Sequence, residues 1–356
     1  MTTGVRCMMM RGGSSKGAYF LADDLPADTE DRDRLLLSIM GSPDARQIDG
    51  LGGAHPLTSK VAVVSPSTDP DIDVEYLFLQ VSVEEALVSD RQNCGNLLAG
   101  VGPFALERGL VSVGPDETHA AVRVLMRNTD TVATSTFPVA AGQPTYAGDT
   151  AISGVPGTAA AIRLDFDDVA GSSTGALLPT GNVTDEVAGI ACTLIDNGMP
   201  VVVMRAADLG VSGDESCPAL EQNDELRARL EEIRIRAGEL MNLGDVRDAT
   251  VPKLTMVAAP REGGHLCTRT FIPHRCHDAI GVLGAVSVAT AALLPGSTAA
   301  GVLEGTPADS VVLEHPTGRF EAAVSVHMAD GRPVVERAGI VRTARKLMDG
   351  LVFARD

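Results

Sequence analysis

The stretch SDRQNCGNLLAGVG, residues 89–102, joins a polar run to an apolar, glycine-rich run. Cys94 stands at the change, followed by Gly95 and Asn96. The apolar run predicts a buried helix over residues 97–108, with Cys94 at or just before its N-terminus. Free N–H groups and the positive end of the helix dipole favour an anion there. The position suits a thiol that transfers protons or a bound substrate carboxylate, and a small buried hydrophobic residue is the alternative.

Short sequence blocks of the first half of the chain recur in the same order in the second half. NCGNLLAGVG resembles RCHDAIGVLG, which sets Cys94 against Cys276. LTSKVAVVSPS resembles TVPKLTMVAAP, which sets Lys60 against Lys253. Two further pairs follow the same order: YFLADDLP resembles VMRAADLG, and AGDTAISGVPGTAA is placed against AGIVRTARKLMDG. Four matches in one order predict a duplicated fold, although chance similarity among short apolar segments is the alternative.

The predicted fold class is α+β, with two pseudo-symmetric halves over residues 1–175 and 176–356. The terminal strands can cross between the halves. Short valine-rich runs predict the strands, and each half would be a barrel-like sheet around one buried helix. The second such helix is predicted over residues 279–293. Enclosure by a sheet explains why both helices are apolar on all sides. A cleft between two such halves is a natural ligand site.

Composition narrows the classes of partner. The 356 residues are 44% hydrophobic, as a packed globular protein requires, and the formal net charge is −18 with no block rich in Lys or Arg. Nucleic acid is therefore not an expected partner. The N-terminus has no signal-type apolar region, and the longest apolar run is too short to span a bilayer comfortably. Six cysteines without C-x-x-C spacing indicate reduced thiols, so a cytoplasmic protein is expected. The sequence is compatible with a homodimer.

Lys60 begins an apolar strand in HPLTSKVAVV. A partly buried lysine favours the neutral amine, which can act as a general base. A lysine on an edge strand, directed to solvent to prevent aggregation, is the alternative. Lys253 fits that alternative equally well.

Two glycine-containing loops are candidates for anion binding. MRGGSSKGAYF lacks the residue order of a phosphate-binding P-loop. Its Arg11, Ser14 and Ser15 remain suited to hold a substrate carboxylate through guanidinium, hydroxyl and backbone N–H groups. Thr180 and Asn182 in LLPTGN belong to a second such loop, or to an ordinary turn between the halves.

FIPHRCHDA places His274, Arg275 and Cys276 together. The spacing offers no H-x-x-x-H face and no matching carboxylates, so no metal is predicted. Recognition of a carboxylate by Arg275 or His274, beside the second helix N-terminus, is favoured. No G-x-S-x-G motif supports nucleophilic hydrolysis. Lysine and cysteine without a metal or organic cofactor indicate proton transfer at an activated C–H bond.

Six blocks carry a family resemblance: MRGGSSKGAYF, GSPDARQIDGLGGAHPLTSK, QNCGNLLAGVGPFALERGLV, GVPGTAA, LPTGN and IPHRCH. In this order they resemble the PrpF-type isomerases of the diaminopimelate epimerase superfamily, over nearly the whole chain. The resemblance implies two barrel-like halves with the active site between them. It implies that Lys60, in the TSK block, is the catalytic base. Cys94 corresponds to the first cysteine of the epimerases, whereas the second cysteine has no clean counterpart, because Cys276 lies upstream of IGVLGA.

The resemblance also implies an activity: isomerisation of 4-oxalomesaconate, an unsaturated tricarboxylic keto acid of gallate, protocatechuate and lignin-derived aromatic degradation. Lys60 would remove a CH2 proton, and Cys94 or Lys60 would return it at the far carbon of the conjugated system. No hydride moves, so no cofactor is expected. The remaining predicted substrate-binding residues are Asn93, Gly95, Asn96, Lys253 and Cys276. Two alternatives stay open: a cis–trans isomerase of 2-methylaconitate or aconitate, and a non-catalytic protein that binds small carboxylic acids.

Overall fold

The computed structural model describes residues 4–91, 93–307 and 310–355. The chain forms two compact units: unit 1 comprises Met1–Asp167 and Val341–Asp356, and unit 2 comprises Asp168–Ile340. Unit 1 thus ends at Asp167 rather than at residue 175, and the C-terminal segment belongs to unit 1. No helix within the described ranges combines the length and the apolar composition of a membrane span.

Unit 1 is built on one curled sheet. Its strands are β1 (Val5–Gly12), β2 (Ser15–Leu21), β3 (Lys60–Pro66), β4 (Val74–Val81), β5 (Val88–Ser89), β6 (His119–Met126), β7 (Thr131–Ala140), β8 (Gln143–Pro144), β9 (Ala161–Phe166) and the end of β17 (Arg332–Val352). The main strands pair in the order β17–β1–β2–β3–β4–β6–β7–β9. The short strands β5 and β8 pair with β4 and β7.

The helix α2 (Gly95–Glu107) is the centre of unit 1. It contacts β1, β2, β3, β4, β6, β7 and β9, and its residues 97–106 are all buried, which confirms the buried helix predicted from the sequence. Glycines allow this close packing. A Cβ atom on Gly100 would lie 2.5 Å from the hydroxyl oxygen of Tyr19, and one on Gly102 would lie 2.7 Å from the Phe137 ring.

The opposite, outer face of this sheet is covered by α1 (Thr29–Met40). Asp28 caps α1 by accepting the N–H of Asp31 at 3.0 Å. Cys7 and Met9 of β1 belong to the hydrophobic cluster between the sheet and α1. Because side chains alternate along a strand, the residues between them face α2 on the inner side.

Unit 2 repeats this plan. Its strands are β10 (Asp185–Val187), β11 (Ile190–Asp196), β12 (Pro200–Arg205), β13 (Lys253–Ala258), β14 (Leu266–Phe271), β15 (Val311–His315), β16 (Gly318–Ala329) and the beginning of β17. They pair in chain order from β10 to β17. The buried helix α5 (Val282–Leu293) packs on β11, β12, β15 and β16. The outer helices are α3 (Cys217–Glu221) and α4 (Asp224–Leu240), and the chain also has short 3-10 helices at Ala22–Asp24, Pro56–Thr58, Ala206–Leu209 and Ala300–Val302.

The order and sense of strand pairing confirm the predicted duplication. The pairs β1–β2 and β11–β12 are antiparallel, and β2–β3 and β12–β13 are parallel. Lys60 and Lys253 begin the equivalent strands β3 and β13. The alignment of Cys94 with Cys276 is wrong, because Cys94 is the N-cap of α2 whereas Gly281 is the N-cap of α5. Cys276 lies earlier, in a turn bridged to Phe271.

Candidate active site

Lys60 lies on the inner face of unit 1, beside the first turns of α2. Its neighbours across the sheet are Gly17 and Gln80, so β3 is paired on both sides and is not an edge strand. A Cβ atom on Gly17 would lie 2.8 Å from Leu97 Cδ2 of α2. The Lys60 side chain is 8% exposed, and its Nζ lies 4.9 Å from the centroid of the buried Phe78 ring. Lys60 is therefore a buried lysine and not a solvent-directed one.

Gln80 holds the amine of Lys60 in place. The Gln80 Nε2 donates to the backbone oxygens of Ser59 at 2.8 Å and Pro56 at 3.1 Å. Its Oε1 therefore faces Lys60 and accepts from Nζ at 2.7 Å. No carboxylate of the described residues forms an ion pair with Lys60. An amine that no carboxylate pairs with can accept a proton from a substrate, and once protonated it can pair with a carboxylate or a developing enolate.

Cys94 is the N-cap of α2, with φ −136° and ψ 93°, and it is 8% exposed. The Cys94 N–H donates to Asn93 Oδ1 at 2.8 Å, and the Cys94 carbonyl accepts from Leu98 N at 3.1 Å. No side chain caps the helix, so N–H groups of its first turn are left for another acceptor. The Asn93 amide donates to Met126 Sδ at 2.8 Å, which fixes its orientation.

Two buried phenols surround Cys94. Burial raises the pKa of Tyr19 and of Tyr76 well above the ordinary value, and negative charge on Cys94 raises it further. Both hydroxyls therefore stay neutral and donate to backbone oxygens of the helix start. Tyr19 donates to Leu97 at 2.6 Å, and Tyr76 donates to Cys94 at 3.3 Å. These bonds hold the N-terminus of α2 against the sheet.

The turn between β1 and β2 also meets the first turn of α2. Asn96 Nδ2 lies 3.2 Å from Ser14 Oγ and 3.5 Å from Ser15 Oγ. A Cβ atom on Gly13 would lie 2.2 Å from Asn96 Oδ1, so only glycine allows this approach. The structure thus brings together Ser14, Ser15 and Asn96, beside Gly95 at the helix start. Hydroxyl, amide and backbone N–H groups of this kind suit one carboxylate.

Arg11 does not join this cluster. It follows Met9 on the outer face of β1, whereas a Cβ atom on Gly12 would collide with α2 at Asn96 O. Arg11 Nη1 donates to Gly13 O at 2.9 Å and to the carbonyl and hydroxyl of Thr343, each at 3.0 Å. The sheet alternation therefore separates Arg11 from the inner face where Lys60 lies.

In unit 2, Lys253 occupies the position equivalent to Lys60. Its Nζ donates to Thr250 O at 2.6 Å. Burial, and then the charge of Arg234, lowers the pKa of Lys253. The pKa of His277 is lowered, mainly by burial. The charge of Asp278 opposes this shift, and the charge of Lys253 adds to it.

The LLPTGN loop uses its polar groups within unit 2. Thr180 Oγ1 donates to Asp185 at 2.7 Å, and Asn182 Nδ2 donates to the same carboxylate at 2.8 Å. Asn182 N also donates to Thr180 Oγ1 at 3.2 Å. These are the bonds of an ordinary turn.

The structure places His274, Arg275 and Cys276 in three different environments. His274 Nδ1 lies 3.6 Å from Glu231, and the Arg275 side chain is 84% exposed with Nε 3.7 Å from Glu221. Cys276 is buried in the hydrophobic cluster of unit 2, where burial, and then neighbouring Cys217, raises its pKa. Among the residues that the structure describes, no three His, Cys, Asp or Glu side chains are grouped as a metal site requires.

The site also includes Gln80, Tyr19 and Tyr76, which no sequence motif marks. The run VEYLFLQV contains Tyr76, Phe78 and Gln80 at alternate positions, so strand periodicity alone would place them on one face. The pairing of this strand with β3 places Gln80 opposite Lys60, and this pairing is seen only in the tertiary structure. No sequence pattern indicates the contact of Tyr19 with α2.

The curled sheet around a helix, present in both units, is the fold of the diaminopimelate epimerase-like proteins. A hydroxyproline epimerase from Agrobacterium vitis has this fold, with a TM-score of 0.53 and 14% identity over 100% of this chain and 95% of that chain. The PrpF protein family matches residues 2–355, and the chain belongs to this family.

Individual relatives match over nearly their whole length. The chain is 60% identical to the (4E)-oxalomesaconate Delta-isomerase of Novosphingobium sp. strain KA1, over 98% of this chain and 96% of that protein. It is 56% identical to the 4-oxalomesaconate tautomerase of Pseudomonas putida, with the same shares covered. The crystal structure of a methylitaconate-delta-isomerase matches with a TM-score of 0.89 and 36% identity, over 99% of this chain and 96% of that chain. The fold class and family expected from the sequence are confirmed.

Proposed function

We propose that this protein is an isomerase that moves a proton along the conjugated system of 4-oxalomesaconate. The observation that carries the proposal is the full-length similarity to two enzymes named for this acid. The inner face of unit 1 supplies matching chemistry, because a buried lysine and a thiol at a helix N-terminus lie beside an amide and hydroxyl cluster.

Lys60 is the base of the proposed reaction. Its neutral amine removes a proton from the CH2 group of the substrate, and Gln80 Oε1 orients the ammonium that forms. The electron pair of the broken C–H bond spreads into the conjugated keto acid as a dienolate. The free N–H groups at Gly95 and Asn96, with the helix dipole, stabilise the negative charge as it develops.

Cys94, or the ammonium of Lys60, returns the proton at the far carbon. Ser14, Ser15 and Asn96 hold a substrate carboxylate next to the helix start. The reaction moves a proton and no hydride, so it consumes no redox cofactor. The pathway that this activity serves is the degradation of gallate, protocatechuate and related lignin-derived aromatic acids in the cytoplasm.

The test follows C–H protons by NMR in D2O. Enzyme is incubated separately with 4-oxalomesaconate, 2-methylaconitate and aconitate, and loss of substrate C–H signals is measured together with the appearance of a new isomer. We expect exchange and isomerisation of 4-oxalomesaconate. Turnover of 2-methylaconitate or aconitate alone would assign the cis–trans activity instead. Binding of an acid without any exchange would show a non-catalytic binding protein.

A further inference from the structure

Unit 1 has a pocket of about 320 Å³ on the outer face of its sheet. Arg11 of β1, together with Thr343 and Arg345 of β17, forms one side. The segment 146–159 forms the other side. Lys60 lies on the inner face, so the sheet separates the two arginines of this pocket from the proposed base. The segment 146–159 itself reaches the turn of the carboxylate cluster, where a Cβ atom on Gly154 would lie 3.6 Å from Ser14 Cβ.

The pocket contains two arginines that face each other without a carboxylate. Arg11 and Arg345 are directly opposite in the pairing of β1 with β17. Arg345 makes no hydrogen bond or ion pair with the described part of the chain, and Arg11 donates only through Nη1. The lining includes no Asp or Glu. The formal net charge of the chain is −18, so two adjacent guanidiniums without a carboxylate partner form a local positive site on an acidic protein.

The acid that bonds to Tyr146 of the lining is already paired. Glu107 accepts from the hydroxyl of Tyr146 at 2.6 Å and also from Lys346 Nζ. Burial, and then the charge of Arg345, lowers the pKa of Arg11, as expected for like charges that lack a counter-ion. An anion between the two guanidiniums would relieve this repulsion.

The second wall of the pocket is a closed hairpin. Thr150 and Ala159 exchange two backbone hydrogen bonds of 3.0 Å, and Ala160 N donates to Tyr146 O at 2.9 Å. A Cβ atom on Gly148 would lie 2.6 Å from Ala160 Cα, so the two arms of the hairpin are in close contact. The hairpin adds the residues Thr150 and Thr158 to the lining, whose hydroxyls are hydrogen-bond donors for an anion.

We propose that this pocket is a second anion site, which binds a small di- or tricarboxylate between the guanidiniums of Arg11 and Arg345. Guanidinium groups bind carboxylates through paired N–H donors, and the volume lies within the range of small-molecule sites. The site goes beyond the proposed function, because its occupant does not react and does not touch Lys60. A bound acid would contact Arg11, Arg345 and the threonine hydroxyls of both walls.

The test uses citrate, a tricarboxylate without a carbon–carbon double bond to isomerise. The full-length protein is treated with phenylglyoxal, which modifies arginine, and each modified residue is measured by mass spectrometry with and without citrate. At citrate concentrations of ten times the dissociation constant, modification of Arg345 should slow by about tenfold. Arg332 is the internal control, because it lies on the same strand, is exposed and is outside the pocket.

Variants separate this site from the proposed reaction site. Arg345→Met should weaken citrate binding, measured by calorimetry, by at least about tenfold. Arg332→Met, which removes the same charge from β17, should leave binding unchanged. Protection of Arg345 should persist in Lys60→Met, whether or not Lys60 is a catalytic base. Unprotected Arg345, equal protection of Arg332, or loss of protection in Lys60→Met would each overturn the proposal.

Discussion

Replacement of Lys60 by methionine tests the proposed base directly. Methionine keeps most of the length and apolar packing of the lysine stem. Relative to the protonated form of Lys60, the variant loses a charged hydrogen bond of 2.7 Å to Gln80, worth about 1.5–3 kcal/mol, and a contact with the Phe78 ring, worth about 0.5–2 kcal/mol. It also loses the penalty of burying an ammonium, which is several kcal/mol. These terms oppose each other, so we expect a folded protein whose unfolding free energy changes by about 2 kcal/mol or less.

Activity should change far more than stability. Loss of a general base lowers turnover by at least about 10²-fold, and the substrate CH2 protons should no longer exchange with D2O. Exchange is followed by NMR, and binding by titration with 4-oxalomesaconate, which Lys60→Met should still bind. Lys346→Met is the matched control, because Lys346 pairs with Glu107 outside the site. Its exchange rate should equal that of the wild type.

If Lys60→Met exchanges the CH2 protons at a rate near that of the wild type, Lys60 is not the base. The role then passes to Cys94 or Lys253. Lys253→Met separates these two, since exchange that survives in the double variant Lys60→Met/Lys253→Met leaves Cys94.

Three further changes test other parts of the molecule. Cys94→Ser should lower kcat, because a hydroxyl is a far weaker acid than a thiol, while the unfolding midpoint stays near that of the wild type. Early unfolding with an unchanged kcat would show that Cys94 is only a packing residue. Ser14→Ala with Ser15→Ala should raise KM by about tenfold or more in steady-state assays, as charged hydrogen bonds are worth about 1.5–3 kcal/mol each, and an unchanged KM would make this turn purely structural. Glu314→Gln should lower the unfolding free energy at pH 7 by about 1–3 kcal/mol in denaturant titrations, because the carboxylate accepts three backbone N–H groups of the turn at 261–264. Burial raises the pKa of Glu314, but these hydrogen bonds lower it by more, so the pKa lies below the usual value for Glu. The stabilisation is therefore present above a pH of about 4.3 and is lost as the pH falls through the lowered pKa. A difference in stability from the wild type that does not shrink in acid would contradict this.

Local patterns in the sequence predict the main helices and strands and their repetition. Residues 97–106 are apolar on every side of the predicted helix, so this helix had to be enclosed by the sheet, and in α2 these residues are all buried. The strand beginning at Lys60 and its counterpart at Lys253 were visible as local patterns. The position of Cys94 at a helix N-terminus follows from the same local change in polarity.

Which of these residues face each other depends on strand pairing and register. Gln80 reaches Lys60 only because β3 and β4 pair in one register, and a shift of one residue would turn the Gln80 side chain to the outer face. Arg11 lies one residue from Gly12, yet the alternation of β1 directs it away from α2. Arg345 joins it from the other end of the chain through the pairing with β17. Cys276 resembles Cys94 in sequence, but α5 begins only after Gly281, so burial rather than a helix terminus sets its environment. Local patterns specify helices and strands, whereas register and strand pairing depend on contacts between distant segments, which no local pattern contains.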